Sequence, residues 1–453
     1  MERARAVVLA AGKGKRMQSD LPKVLHRLCG RPLITYVLDA LAEAVSARPL
    51  LVIGHAAEAV RNAAGDRAGF VEQREQLGTG HAVMQALPHL DEGDGPILVL
   101  YGDTPLLRSG TIRGLLDLHR DSRAAATMLT AALDDPTGYG RVIRGPDGAV
   151  ERVVEEADAS PDEARLREIN AGTYVFERRA LFSALEALSP ANAQGEYYLT
   201  DTIGWLLKSG QRVSALLAPA EEAAGVNSRR ELAAAEAVMR RRLLDRLMDA
   251  GVTIVDPAAT YVHAGVRVGA DTILHPQTHL EGETIIGRAC VIGPQARLHD
   301  AVLGDRVTVE ASTIAGSEIG EGSRVGPYSR LRPGARLGRF VEVGNYAEIK
   351  NATIGDYSKV HHMSYIGDAQ LGVRVNIGAG TVTCNFDGRR KHVTVIEDEA
   401  FIGSDTMLVA PVRIGRGAVT GAGSVVKKDV PPGGVAVGVP ARVIKHVSTD
   451  AAR

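Results

Sequence analysis

In the second half of the chain, an aliphatic residue followed by glycine recurs at a step of six residues, with occasional steps of five. A repeat of this length predicts a left-handed parallel β-helix, whose coils stack and bury one aliphatic residue per side. Glycine at the tight corners of such coils explains why the glycine content of the chain, 50 residues, is above ordinary usage. The repeating pairs include Ile286-Gly287, Ile292-Gly293, Ile319-Gly320, Val325-Gly326, Leu337-Gly338, Val343-Gly344, Ile354-Gly355, Ile366-Gly367, Leu371-Gly372, Ile377-Gly378, Ile402-Gly403 and Ile414-Gly415.

The first half follows a different pattern, in which short apolar runs alternate with amphipathic stretches. The apolar runs predict strands at 6–11, 50–54, 96–103 and 124–130, and helices are expected at 32–45 and 110–120. Continuous apolar strands separated by helices indicate a mainly parallel sheet covered on both faces. We therefore expect a Rossmann-like α/β domain, with its ligand crevice at the carboxyl ends of the strands.

Three regions follow from these patterns. Residues 1–228 are expected to form the α/β domain, 229–250 a long helical linker, and 251–453 the β-helix with a short C-terminal tail. The arginines of the linker could indicate nucleic-acid binding, but no aromatic stacking residues accompany them, so a solvated helix face is the preferred interpretation.

Charge and cysteine content limit the classes of partner. Lys+Arg 53 against Asp+Glu 54 gives a formal net charge of -1, which does not indicate binding to nucleic acid or to a membrane. Cys29, Cys290 and Cys384 are far apart in the sequence and are expected to be free thiols. With no candidate signal peptide or membrane span, a cytoplasmic location is expected.

A glycine-rich turn, "LAAGKGKRM" at 9–17, follows the first predicted strand. It differs from the dinucleotide-binding pattern because Met17 stands in place of the third glycine. It also lacks the Ser or Thr that follows Gly-Lys in a P-loop. The turn offers backbone N–H groups together with Lys13, Lys15, Arg16 and, further on, Lys23, which suits the transfer of a polyphosphate.

Asp103 ends the predicted strand "PILVLYGD". An acidic side chain at the carboxyl end of a strand, facing a phosphate-binding turn, is well placed to hold Mg²⁺. The alternative is that Asp103 only caps the turn before Pro105.

In the β-helix, Arg332 and Lys350 occupy corner positions 18 residues apart, where most repeats carry glycine. Residues 17 or 18 apart stack in neighbouring coils, and two stacked cations repel each other unless an anion joins them. The alternative is that Arg332 and Lys350 are only solvated surface charges.

The next coil contains "VHHMSYIG" at 360–367, which places His362 above Asn345 and Tyr365 above Glu348. A histidine in this setting is a credible general base beside an anion site. The repeat then lapses at 384–394, where a projecting loop is expected.

These motifs together resemble a known enzyme family. The relevant segments are "LAAGKGKRMQSDLPKVL" (9–25), "EQLGTGHAV" (75–83), "LYGDTPLL" (100–107), "DDPTGYGRV" (134–142), "EINAGTYVF" (168–176), "NAQGEYYLTD" (192–201), "GVNSR" (225–229), "RLRPGA" (330–335), "VGNYAEIK" (343–350), "HHMSYIGDA" (361–369), "NIGAGTVTCNFDG" (376–388) and "FIGSDTMLVAP" (401–411). They are similar to the bacterial bifunctional N-acetylglucosamine-1-phosphate uridylyltransferase / glucosamine-1-phosphate N-acetyltransferases. The resemblance covers all but about the last 15 residues.

The resemblance implies two reactions, both with small-molecule substrates. The β-helix would acetylate glucosamine-1-phosphate from acetyl-CoA, and the α/β domain would then join the product to UTP with Mg²⁺, releasing pyrophosphate. The product, UDP-N-acetylglucosamine, would serve cell-wall synthesis. The family also implies a homotrimer in which a neighbouring subunit completes the acetyl-transfer site.

The resemblance also implies roles for particular residues of the α/β domain. Asp103 and Asn227 would hold Mg²⁺, and Arg16 and Lys23 would stabilise the phosphates. The N-acetylated sugar would contact Gly140, Glu155 and Asn170. The remaining substrate-binding positions, mostly for the uridine nucleotide, would be Leu9, Ala10, Ala11, Gly12, Gln73, Gly78, Thr79, Tyr101 and Gly102.

In the β-helix the resemblance makes His362 the catalytic base, with Glu348 as its candidate partner. Arg332 and Lys350 would bind the sugar phosphate. The sugar and acetyl positions would be lined by Tyr365, Asn376, Asn385 and Phe386, and the CoA groove by Ala379, Ser404 and Ala422.

Two positions depart from the family pattern. Phe386 stands where the family often has tyrosine, so any contact from that hydroxyl is lost. The C-terminal arginine that contacts CoA phosphate is replaced by Val439, with Arg442 nearby, and that contact stays unassigned.

Two other functions are weighed against this one. A glucose-1-phosphate adenylyltransferase has a similar domain order but no acetyl-transfer histidine, so "HHMSY" argues against it. A monofunctional nucleotidyltransferase with a purely structural β-helix for trimerisation would have no use for the aligned Arg332 and Lys350 beside His362.

Overall fold

The computed structural model describes residues 4–90, 95–192 and 194–446. The beginning of the predicted first domain, Ala193 in the 192–201 motif, and the last seven residues of the expected tail therefore lie outside the described residues. The chain divides into two compact units, 1–239 and 240–453, and the division falls within one long helix.

The first unit is built on a nine-stranded sheet with the strand order β11-β7-β10-β6-β1-β4-β5, and β8 and β9 attached through β10. Numbering includes a small hairpin, β2 and β3. The strands are β1 Arg5–Ala10, β2 Arg27–Leu28, β3 Arg31–Pro32, β4 Leu50–Ile53, β5 Gly69–Glu72, β6 Ile97–Tyr101, β7 Ala126–Ala132, β8 Arg141–Arg144, β9 Val150–Val154, β10 Glu168–Phe176 and β11 Val213–Leu217.

Helices cover both faces of this sheet. The covering helices are α1 Leu33–Ala44, α2 Ala57–Ala64, α3 Thr79–Ala86, α4 Ser109–Ser122, α5 Arg178–Glu186, α6 Asp201–Lys208 and α7 Ala220–Ala223, and the chain continues into α8 Arg229–Asp249. Short 3₁₀ turns lie at Lys15–Met17, Lys23–Leu25, Gly65–Arg67, Leu87–His89, Glu156–Asp158 and Glu163–Arg165. One face of the sheet packs against α1, α2 and α4, and the other against α3, α5 and α6.

The predicted α/β architecture is confirmed, including strands and helices within two or three residues of the expected bounds. The sheet is parallel at the β1, β4, β5 and β6 pairs and at the β11–β7 pair. It departs from the expectation at β10, which is antiparallel to both β6 and β7. The register of β10 shifts between Asn170 and Tyr174, and Gly172 within that bulge has φ +72°.

Helix α8 begins with a capping box. The Glu231 carboxylate accepts hydrogen bonds from the Asn227 N–H at 2.7 Å and from the Ser228 hydroxyl at 3.0 Å. The Ser228 hydroxyl in turn accepts from the Glu231 N–H at 3.3 Å. This pairing satisfies free donors at the helix start and sets the path of the segment that contains Asn227.

The second unit is a three-faced parallel β-helix, as the repeat predicts. Face A comprises Thr253–Ile254, Ile273–Leu274, Val291–Ile292, Thr308–Val309, Arg324–Val325, Glu342–Val343, Lys359–Val360, Asn376–Ile377, Phe401–Ile402, Val419–Thr420, Gly434–Gly438 and Ala441–His446. Face B comprises Thr260–Val262, Thr278–Glu281, Arg297–His299, Thr313–Ala315, Arg330–Leu331, Glu348–Lys350, Tyr365–Gly367, Val382–Cys384, Met407–Val409 and Val425–Val426. Face C comprises Arg267–Val268, Ile285–Ile286, Val302–Leu303, Glu318–Ile319, Arg336–Leu337, Thr353–Ile354, Ala369–Leu371, Thr394–Ile396 and Val412–Ile414.

The stacking of coils follows the arithmetic of the repeat. Leu331 pairs with Ile349, and Ile349 pairs with Ile366, all three being buried in the core. The last strand, Ala441–His446, is the exception because it folds back antiparallel on Gly434–Gly438. No helix among the described residues has both the length and the apolar character needed to cross a bilayer.

Candidate active sites

In the first unit, a cleft of about 530 Å³ opens where β1, β5 and β6 end. Its lining contains most of the predicted nucleotide-binding residues, namely Leu9, Ala10, Ala11, Gly12, Lys23, Gln73, Gly78, Thr79, Tyr101 and Asp103. A neighbouring cleft of about 600 Å³ is lined by Arg16, Lys23, Glu155 and Asn227, among others. Lys23 borders both clefts, so the predicted nucleotide and sugar sides lie next to each other.

Glycine is required at two turns of this cleft. Gly78 has φ +107°, and a Cβ there would approach the Tyr197 carbonyl oxygen to 2.6 Å. Gly14 has φ +63°, and a Cβ there would lie 2.8 Å from the Cβ of Lys23. Any side chain at these positions would therefore push apart the walls of the cleft.

Lys23 connects the two predicted metal ligands. Its ammonium donates to the Asn227 side-chain oxygen at 2.8 Å and forms an ion pair with the Asp103 carboxylate. Asp103 is 8% exposed, and its backbone oxygen accepts from the Val226 N–H at 2.9 Å. Two hard oxygen donors thus converge on one cationic group, which is the donor chemistry that suits Mg²⁺.

Of the predicted sugar-side residues, Gly140 directly precedes β8, Glu155 directly follows β9, and Asn170 lies on β10. Burial raises the pKa of Glu155, whose carboxylate accepts from the Thr200 hydroxyl at 2.8 Å. The Asn170 N–H donates to the Gly140 carbonyl at 2.9 Å, so these two positions adjoin. Burial and the nearby Glu155 raise the pKa of Tyr101, so its phenol stays protonated.

Gly102 and Gln73 support the floor of the cleft. The Gly102 N–H donates to the Leu9 carbonyl at 2.9 Å, which joins the end of β6 to the glycine-rich turn. The Gln73 amide donates to the Gly78 carbonyl at 3.0 Å and lies 3.1 Å from His81 Nδ1.

In the second unit, the His362 side chain pairs with Asn345 one coil below, with 2.6 Å between His362 Nδ1 and Asn345 Oδ1. The expected stacking of these two residues is confirmed. The expectation that Glu348 partners His362 is wrong: Glu348 accepts from Arg332 at 2.9 Å instead. The Arg332 side chain is long enough to reach along face B to the Glu348 carboxylate. Nδ1 of His362 is already paired with Asn345.

Lys350 lies beside a second lysine that the sequence analysis did not single out. Lys391 lowers the pKa of Lys350 through a side-chain contact and charge repulsion, and Arg332 adds to that effect, whereas Asp368 opposes it. Three cationic side chains therefore converge at this corner of face B, and an arriving anion would relieve their repulsion.

The expected projecting loop occupies 385–393, between the strands Val382–Cys384 and Thr394–Ile396. We call it the excursion. Asn385 at its base is buried, whereas Phe386 is 60% exposed. Within it, His392 contacts Asp387 at 2.6 Å, and the pKa of Asp387 falls to about 2 because backbone N–H groups and His392 bond to its carboxylate.

The remaining predicted positions follow the corners and faces of the prism. Ala379, Ser404 and Ala422 belong to successive coils, linked by bonds from Asp405 N–H to Ala379 O at 2.6 Å and from Gly423 N–H to Ser404 O at 2.8 Å. Tyr365 pairs with Glu348 on face B, and Asn376 pairs with Lys359 on face A. Ala379, Ser404 and Ala422 all carry small side chains.

Two other residues of this region were not predicted as site residues: Asn345, which was expected only to stack, and Asp368. The spacing of 17 residues signalled the position of Asn345 but not its role as the acceptor for His362. Asp368 lies within the motif "HHMSYIGDA" (361–369), but the motif assigned it no role, and aspartate is common in turns.

The chain is similar to two family models and to several known proteins. The family model of the MobA-like NTP transferase domain matches residues 6–203, and the bacterial transferase hexapeptide model matches residues 394–428. The protein named "Bifunctional protein GlmU" of Heliobacterium modesticaldum is 54% identical over 96% of both chains. The protein of that name from Geobacillus sp. is 47% identical, over 98% of this chain and 97% of its own. That from Exiguobacterium sp. is 49% identical, over 95% and 96% respectively. On these matches, the chain belongs to the family of bifunctional GlmU proteins.

Proposed function

We propose that the two units catalyse consecutive steps in the synthesis of UDP-N-acetylglucosamine. The protein is a bifunctional transferase with uridylyltransferase and acetyltransferase activities. The observation that carries the proposal is that each unit has its own cluster of chemically suited side chains. These are Lys23 with Asp103 and Asn227 in the first unit, and His362 with Asn345 in the second.

For the acetyl transfer, the substrates are glucosamine-1-phosphate and acetyl-CoA. Arg332, Lys350 and Lys391 would bind the sugar phosphate, because their mutual repulsion favours a bound dianion. His362 would accept a proton from the amine through Nε2 as the amine nitrogen attacks the thioester carbonyl carbon. Asn345 Oδ1 would accept the hydrogen on Nδ1 and so favour the neutral tautomer of His362 in which Nε2 carries the free lone pair. The C–S bond then breaks, and the CoA sulfur leaves as the thiol with that proton.

The rest of this site would shape the substrates. Tyr365, Asn376, Asn385 and Phe386 would line the sugar and acetyl positions. Ala379, Ser404 and Ala422 would line the groove for CoA, where small side chains suit a long, thin ligand.

For the uridylyl transfer, the substrates are UTP and N-acetylglucosamine-1-phosphate. Asp103 and Asn227 fit a hard divalent cation, since both present oxygen donors to the Lys23 ammonium. Mg²⁺ bound by them would neutralise charge on the α-phosphate. Arg16 and Lys23 would stabilise the phosphates.

The other positions of this unit would bind the two substrates. Leu9, Ala10, Ala11, Gly12, Gln73, Gly78 and Thr79, with Tyr101 and Gly102 beneath, would hold the uridine nucleotide. Gly140, Glu155 and Asn170 would hold the acetylated sugar, so the product of the second unit is the substrate of the first.

Domain limits and assembly belong to the same proposal. We place the catalytic domains at 1–228 and 251–453, with 229–250 as the linker. A homotrimer that completes the acetyl-transfer site is supported by exposed apolar side chains next to His362. Tyr328 and Tyr346 stack at 5.6 Å between ring centroids, and Met363 is 69% exposed. A cytoplasmic location agrees with Cys29, Cys290 and Cys384 forming no disulfide among the described residues.

The test is to supply the purified chain with glucosamine-1-phosphate, acetyl-CoA, UTP and Mg²⁺ and to assay UDP-N-acetylglucosamine. His362→Ala should lose acetyl transfer while UTP-dependent pyrophosphate release from N-acetylglucosamine-1-phosphate persists. If acetyl transfer survives at nearly the wild-type rate, the role of His362 is wrong. If the wild-type chain makes only the uridylyl product, the alternative of a nucleotidyltransferase with a structural β-helix is correct.

A further inference from the structure

We propose that Asp368 is a positioning residue for acetyl transfer, which acts by fastening both ends of the excursion 385–393. The inference rests on the acetyl-transfer function proposed above. Asp368 touches neither substrate in that proposal, and its effect would pass through Asn385 and Lys391, which the excursion carries. It would thereby set the affinity of the enzyme for the sugar phosphate.

Asp368 lies at a corner of the β-helix, between the face B strand Tyr365–Gly367 and the face C strand Ala369–Leu371. It has φ +49°, and Asn351, at the same corner one coil below, has φ +44°. In the next coil the excursion replaces the short corner. Asp368 therefore lies directly beneath the point where the chain leaves the regular β-helix.

The contacts of Asp368 reach both ends of the excursion. One carboxylate oxygen accepts from the Asn351 amide at 2.6 Å, and the other accepts from the amide of Asn385 at the start of the excursion. Its backbone oxygen accepts from the N–H of Thr394, the first residue after the excursion, at 3.1 Å. Its own N–H donates to the Lys350 carbonyl at 3.1 Å. One buried residue thus joins the excursion to the coil that carries Lys350.

The chemistry of this position favours a carboxylate. Two side-chain amides point N–H groups at Asp368 from opposite coils, and a carboxylate offers a separate acceptor oxygen to each of them. Asparagine has nearly the same shape and tolerates positive φ, but it would present its own N–H₂ group to one of the two amides. Because Asp368 is only 8% exposed, water would not readily replace the lost acceptor.

Loss of this anchor would affect the corner of face B where Lys350, Lys391 and Arg332 converge. Lys391 lies in the excursion, and its contact with Lys350 places two ammonium groups of like charge together. Such a pair separates unless the backbone holds it, so a loosened excursion would move Lys391 away and weaken the anion site. The Asp368 anchor opposes that separation.

The experiment compares Asp368→Asn with Asp300→Asn in the full-length chain. Asp300 is a matched control, since it follows the face B strand Arg297–His299 at the same corner, has φ +49° and accepts from the Glu283 N–H at 2.9 Å. For Asp368→Asn we expect the KM for glucosamine-1-phosphate to rise about 10- to 100-fold, with a smaller change in kcat and unchanged uridylyl transfer. Asp300→Asn should leave all three quantities at wild-type values.

A second readout does not depend on activity. The excursion carries the trypsin sites Arg389, Arg390 and Lys391, and all three residues are exposed. Trypsin should cleave there faster in Asp368→Asn than in the wild type or in Asp300→Asn. An Asn385→Ala variant should raise the same KM, and combining it with Asp368→Asn should add little, because both break one contact.

Wild-type KM and cleavage rate in Asp368→Asn would overturn the proposal. Equal effects of Asp368→Asn and Asp300→Asn would also overturn it, since a general loss of corner stability would then be the cause. If the KM increases of Asp368→Asn and Asn385→Ala multiply in the double variant, Asp368 does not act through Asn385. If the wild-type chain has no acetyl-transfer activity, the proposed function fails instead, and the cleavage rates alone decide whether Asp368 anchors the excursion.

Discussion

The contact between Asn345 and His362 allows a quantitative prediction for acetyl transfer. In Asn345→Ala the acceptor 2.6 Å from His362 Nδ1 disappears, so the imidazole is no longer held in the tautomer with a free Nε2. A neutral hydrogen bond contributes about 0.5–1.5 kcal/mol net. The expected fall in kcat is therefore about two- to tenfold, since each 1.4 kcal/mol corresponds to about a factor of ten.

The Asn345→Ala effect is to be compared with that of His362→Ala, where loss of the general base should lower kcat about 10²–10⁴-fold. The assay is release of the CoA thiol from acetyl-CoA at saturating glucosamine-1-phosphate, with uridylyl transfer by the same preparation as the internal control. The KM for the sugar phosphate should not change in Asn345→Ala, because Asn345 is not among the cations that bind it. In a His362→Ala background, Asn345→Ala should have no further effect.

Two results would refute the reasoning: an unchanged kcat in Asn345→Ala, or a loss as large as that of His362→Ala. In the first case Asn345 does not orient the base, and in the second it takes part in the chemistry itself.

Three further changes test other parts of the two sites. Asp103→Ala should abolish pyrophosphate release while acetyl transfer continues, and loss of both activities would indicate misfolding instead. Lys391→Met removes the charge that lowers the pKa of Lys350, so sugar-phosphate binding, although weaker, should persist to higher pH, as a titration of KM against pH would show. Gly78→Ala forces a Cβ to within 2.6 Å of the Tyr197 carbonyl at φ +107° and should lower the melting temperature and raise the KM for UTP, whereas wild-type values of both would contradict this account.

Much of the fold could be predicted because its signals are local. Each repeat of the β-helix contributes one buried aliphatic residue at a constant step, so pairings such as Leu331 with Ile349 follow from counting. In the first unit, the apolar runs marked the strands, but the antiparallel direction of β10 could not be read from them. Strand direction depends on the connections between strands, and a buried apolar run has the same composition in either direction.

In the candidate sites, too, the features with a local sequence signal could be predicted and the others could not. Counting 17 residues from Asn345 placed His362 above it, because stacked corners repeat with the coil. Counting residues along the repeat could not show that Glu348 pairs with Arg332 rather than with Lys350 or His362. That contact depends on the length and direction of the side chains. The repeat likewise does not predict that Lys391 returns to Lys350, because the excursion interrupts the constant step on which counting depends.

The sequence by itself determined the β-helix, the α/β domain and the identity of most candidate site residues. Periodic burial and motif spacing are properties of short segments, and they do not depend on how distant parts of the chain meet. Only the tertiary structure decided which groups share a hydrogen bond, as when Lys23 reaches Asn227 across 204 positions. It likewise decided the two-ended anchor at Asp368, because a carboxylate between two amides exists only once three successive coils have stacked.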